Sequence, residues 1–159
     1  MTDSVKTQGT KLWYINTATS TSNDLVTLAC PTGITGLGGA ADQIDDTCLD
    51  ATVDRSYVRG LGNPGQVSVP FVLKPAEASH QDLFDLKASG EVLAWMIGLS
   101  DGTGVPTVVA NAFVAPAGRS CFGFSAYVAD VAIDIATNEV VRGTLTLQRS
   151  GAVTPYWKS

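Results

Sequence analysis

The chain has 159 residues, 45% of them hydrophobic, and carries 10 Lys and Arg against 15 Asp and Glu, a formal net charge of −5. That length buries one real core and leaves too little for two, so a single domain over residues 1–159 is expected. With the basic residues scattered and no basic run, the composition excludes a protein that grips nucleic acid by its phosphates.

After a polar N-terminal arm over residues 1–10, KLWYI at residues 11–15 reads as a short strand anchored by Trp13. Residues 17–24 are rich in Thr, Ser and Asn and read as a loop, and residues 25–29 as a second strand. From residue 31 to residue 64 the character changes: glycines and prolines punctuate a stretch carrying Asp42, Asp45, Asp46, Asp50 and Asp54. Structureless loops this long are uncommon inside compact domains, so a function in contact with something outside the monomer is expected of it.

QVSVPFVL at residues 66–73 resumes as a strand with Val67, Val69, Phe71 and Leu73 on one face, and Pro70 marks a place where no ladder hydrogen bond is donated. Residues 75–88 form the expected helix. Pro75 suits its first position, Ser79 with Asp82 offers a later start, Leu83, Phe84 and Leu86 supply the apolar stripe, and Gly90 ends it. Residues 92–99 read as a buried strand, Asp101-Gly102-Thr103-Gly104 as a tight turn, and residues 105–114 as the returning strand.

The last third, CFGFSAYVADVAIDIATNEVVRGTLTLQRSG, reads as two long strands joined by a turn at Ala136-Thr137-Asn138. Side chains alternate with period two, which puts Tyr127, Ala129, Val131, Ile133 and Ile135 on one face and Asp130 and Asp134 on the other. In the second strand Val141, Leu145 and Leu147 oppose Arg142, Thr144, Thr146 and Gln148, giving a sheet with one dry and one wet side. Strands, one helix, then strands, without βαβ alternation, predict a mainly β sandwich or barrel with one flanking helix.

Chemistry is poorly represented. DQIDDTCLD at residues 42–50 lacks both the ligand spacing and the glycine of a calcium loop. His80, the single histidine, reads as an exposed or interfacial helix residue, and no serine sits in a nucleophile elbow. Cys30, Cys48 and Cys121 lie far apart, with neither a CxxC pair nor the His partners of a zinc site, and read as reduced structural thiols. No enzyme, cofactor or metal is expected. The longest apolar stretch, residues 92–99, is less than half a membrane span, and the N-terminus has no signal-like apolar core, so the expectation is a chain made and kept in the cytoplasm.

The hairpin YVADVAIDIATNEVVRGTLTLQRSG strongly resembles the C-terminal hairpin of major tail tube proteins of long, non-contractile-tailed bacteriophages. KLWYI, the loop ITGLGGAADQIDDTCLD followed by YVRGLGNPG, and the strand entering a Pro-initiated helix match that family in order and spacing. The resemblance implies a β-sandwich-like fold related to the type VI secretion tube, built into hexameric rings that stack into a virion tail tube. It implies assembly in the host cytoplasm and, since the chain stops at Ser159, no C-terminal immunoglobulin-like domain. The partners it implies are further copies of the chain, a tape measure protein, a tail terminator and distal tail or baseplate proteins, with DNA passing through the lumen without specific binding.

On the same ground the residues expected to line the lumen are Asp130, Asp134, Arg142, Thr144, Thr146 and Gln148. Those expected between subunits and rings lie in the 31–64 loop: Leu37, Asp42, Ile44, Asp45, Asp46, Leu49, Asp50, Tyr57 and Arg59. An acidic wall suits a conduit, because a surface that bound phosphates would hold its cargo. The alternative reading is a β-sandwich module that binds a sugar or peptide through the acidic loop.

Overall fold

The structure, a computed structural model, describes residues 4–16 and 24–159. The expected 17–24 loop therefore lies outside the described residues up to residue 23. Among the described residues eleven strands and one helix follow in the order β1 (Lys11–Asn16), β2 (Asp24–Thr27), β3 (Ala41–Asp45), β4 (Tyr57–Gly62), β5 (Gln66–Val72), α1 (Ala78–Ser89), β6 (Leu93–Gly98), β7 (Thr107–Val109), β8 (Ala112–Val114), β9 (Cys121–Asp134), β10 (Arg142–Arg149) and β11 (Thr154–Tyr156). Seven of the strands form one antiparallel sheet in the order β2-β1-β6-β9-β10-β5, with β11 added to the start of β9.

The sheet curls back on itself. The chain leaving β2 at one end reaches the outer edge of β5 at the other, where Thr32 donates its N–H to the Pro70 carbonyl at 2.8 Å and Thr35 and Ser68 exchange both backbone bonds. Pro70 stands on this side of β5, so its missing N–H costs the β5–β10 ladder nothing. Gly36 closes the run with φ +92°, and a Cβ there would collide with the Gln66 carbonyl.

Alternation explains the dry face: Leu12 and Tyr14 on β1, Val67, Val69 and Phe71 on β5, Leu93, Trp95 and Ile97 on β6, and Leu145 and Leu147 on β10 meet in one core. Helix α1 lays Leu83 and Leu86 onto it, whereas Phe84 of the expected stripe is exposed. Trp13, Met96 and Cys121 point to the opposite face, where Phe113 of β8 and Ala115 cover them, so the wet side is dry at this end. Burial pushes the Cys121 thiol pKa up, which suits an inert packing residue.

Four expectations need correction. Residues 31–64 are not structureless, because β3 and β4 pair into a hairpin within them. Residues 105–114 do not return along β6. They fold on themselves as β7 and β8 about Ala110 and Asn111, both with positive φ. The helix starts at Ala78, three residues after Pro75, with Glu77 at its N-cap making no side-chain bond, while Gly90 ends it in the left-handed conformation as expected.

The fourth concerns His80, which is buried rather than exposed. Its Nδ1 accepts the Lys74 N–H at 3.0 Å and its Nε2 meets the Ala29 carbonyl at 2.6 Å, with the ring tilted against Phe71 at 4.8 Å. The imidazole thus joins the helix, the end of β5 and the chain after β2 where the sheet closes. Replacing it with Ala is expected to cost about 2–4 kcal/mol, since two part-buried backbone groups lose partners and a cavity opens. Urea denaturation measures this, and a wild-type midpoint would contradict the role.

Candidate functional site

Two surfaces carry the residues singled out from the sequence. The first is the polar face of β9, β10 and β5. Because paired residues share a side of the sheet, the register builds rows across it: Asp134, Arg142 and Val72; Ala132, Thr144 and Pro70; Asp130, Thr146 and Ser68; Tyr127, Gln148 and Gln66. Thr144, Thr146 and Gln148 are half-buried, and Asp130, Asp134 and Arg142 are exposed.

Tyr127 belongs to this face, contrary to the uniform alternation expected of β9. A bulge leaves Ala129 unpaired, because Thr146 faces Asp130 and Leu147 faces Val128. Alternation therefore changes phase: Phe124, Ala126 and Val128 are buried before the bulge and Val131 after it. Ile135 lies past the strand end, largely exposed rather than in the dry row.

The charges on this face are offset locally. Asp130 reaches Lys87 near the end of α1 at 3.0 Å, and this hydrogen bond and charge hold its carboxyl below the usual carboxylate range. Asp134 sits across the strand pair from Arg142, an opposite-charge neighbour. The face is thus close to neutral, less acidic than the composition alone suggests.

The second surface is the β3–β4 hairpin, which stands out from the body as an arm. Ile44, Leu49, Tyr57, Asp42, Asp45, Asp46, Asp50 and Arg59 are all exposed on it, along with Val53, Val58 and Leu61. Thr47 shapes its turn by donating its N–H to Asp45 at 2.9 Å, and its side-chain hydrogen bond together with this backbone one lowers the Asp45 pKa. Leu37 alone of the expected loop residues is drawn into the body, packing against the main core.

Arg149 was missed by the sequence reading. It is buried, and its Nη1 donates to the Leu37 carbonyl at 3.3 Å and its Nη2 to Gly38, gripping the root of the arm. The signal was present: by parity with Leu145 and Leu147 it falls on the dry face. No group of three or more His, Cys, Asp and Glu side chains converges as a metal site among the described residues.

Comparison with known proteins gives the family and the fold. The family described as phage tail tube, lambda-like, matches residues 3–159. "Structural protein 3" of Pseudomonas phage PAJU2 is 37% identical over 152 residues, covering 92% of this chain and 90% of that one. The SPP1 tail tube structure superposes with a TM-score of 0.63 at 11% identity, covering 96% of this chain and 78% of that one. A chain of the anti-feeding prophage baseplate gives 0.70 at 10% identity, covering 98% and 97%. The tail of an empty gene transfer agent particle gives 0.63 at 16%, covering 92% and 96%. The match over residues 3–159 and the 37% identical phage structural protein together give a structural virion role, and the protein belongs to the lambda-like phage tail tube family.

Proposed function

We propose that the chain polymerises as stacked hexameric rings into the tube of a phage tail, assembled in the host cytoplasm, and that this tube is the conduit for DNA ejection. The observation that carries the reading is the arm. Six large apolar side chains, Ile44, Leu49, Val53, Tyr57, Val58 and Leu61, stand exposed on one projecting hairpin. A monomer gains nothing from that exposure, and contact with neighbouring copies removes it from water. The outer edges of β3 and β4, strands that pair only with each other, add to the argument, since joining them to neighbours buries open backbone groups.

The near-neutral polar face of β9, β10 and β5 then faces the lumen. Threonine, glutamine and offset charges there give a passing polyanion no cluster of free cations to bind. A tape measure protein occupies the lumen before DNA, and a terminator and baseplate proteins close the two ends. A gene transfer agent tail refined with C6 symmetry supports six subunits per ring as the reading for this fold.

The purified protein, concentrated alone or with its tail partners, is expected to form hollow tubes of stacked rings with sixfold end views in electron micrographs. Monodisperse monomer under every condition, with those partners present, would falsify the reading.

A further inference from the structure

At the root of the arm lies a cavity of about 600 Å³, lined by Arg149, Arg59, Gly38, Gly39, Asn63 and Gly151 among others. Arg149 is only 5% exposed, and its guanidinium meets backbone carbonyls alone. Its Nε is buried without a hydrogen-bond partner among the described residues. The backbone is fitted closely around this group: a Cβ on Gly39 would lie 2.9 Å from Arg149 Nη2 and 2.7 Å from the Asn63 carbonyl.

A buried cation without a counter-charge is unfavourable, and the planar fork of arginine is best matched by a carboxylate. Among the described residues the single ion pair is Lys87 with Asp130, so none of their carboxylates fills that role. Asp46, Asp50 and Asp54 lie between β3 and β4 at the free end of the arm. Root and tip are opposite ends of one hairpin, so the tip cannot fold back into its own root.

We propose that this cavity is a carboxylate-binding site that receives an aspartate from the arm tip of a second copy of the chain. Each copy then gives an arm tip and accepts one, a head-to-tail contact that propagates from subunit to subunit. The proposal rests on the tube reading above and names the acceptor and the chemistry of one of its contacts.

The test uses tubes grown from an equal mixture of full-length chains, half labelled with nitrogen-15 in arginine and half with carbon-13 in aspartate. Solid-state NMR is expected to show transfer between the Arg149 or Arg59 side-chain nitrogens and an Asp Cγ, which can arise only between copies. The signal should vanish when Asp46, Asp50 and Asp54 are all Asn. In parallel, Arg59→Glu, an exposed position that leaves the fold intact, should raise the concentration needed for assembly by about tenfold. Pairing it with Lys at the three aspartates should recover part of that loss. Tubes lacking the transfer, or Arg59→Glu assembling at wild-type concentration, overturn the site and leave the tube reading standing. A wild-type chain that forms no tubes overturns both.

Discussion

Leu145→Asp is expected to abolish folding, while Thr146→Asp, one residue along, leaves a folded protein. Leu145 is wholly buried between Val131 of β9 and Val69 of β5, within the main core. An aspartate there loses the apolar burial of the leucine and places a carboxylate where no cation is within reach. The combined cost exceeds about 4–5 kcal/mol, comparable with the entire stability of a domain this size. Thr146 lies on the polar face beside Ser68 and Asp130, where water solvates a new carboxylate at the cost of some repulsion from Asp130. Soluble yield and circular dichroism separate the two variants. Equal loss for both would put the β10 register off by one residue.

Arg119→Ala is expected to cost about 3–5 kcal/mol by removing a buried charge on which four carbonyls depend. Nε donates to Leu99 at 2.6 Å, Nη1 to Gly104 at 3.0 Å, and Nη2 to Gly9 at 2.8 Å and Gly98 at 3.2 Å, with the guanidinium 4.9 Å over the Trp13 ring. These contacts tie the N-terminal arm, the end of β6 and the loop after it into one joint. Arg119→Lys should recover only a small part of the loss, because a single ammonium cannot reach four acceptors in this fork. Urea denaturation gives the magnitude, and hydrogen exchange at residues 6–10 should rise in both variants. A lysine variant as stable as wild type would show that the charge, rather than the fork, is what matters.

Most of the sheet was legible because period-two alternation survives wherever one face is buried. β1, β5, β6 and β10 fall within a residue or two of their expected bounds, and Gly90 marks the helix end. What stayed hidden depends on partners distant in the chain. The β9 bulge leaves no trace in residue type, since Ala129 fits either face. His80 reads as a surface residue until Lys74 and Ala29 are brought to it. Residues 105–114 turn back on themselves instead of pairing with β6, because β1 and β9 already occupy both of its edges. The polar rows of β10 were read correctly, whereas the neutralisation of Asp130 by Lys87 required the helix to be in place.

The two arginine joints also set a schedule for the life of the chain. Arg119 holds Gly9 across 110 residues and Arg149 holds Leu37 across 112, so each fastens an early segment with a late one. While the protein emerges from the ribosome, the first fastening waits for residue 119 and the second for residue 149. Until then the root of the arm lacks its Arg149 grip, so in the proposed tube the arm meets its neighbours only after this late segment has docked.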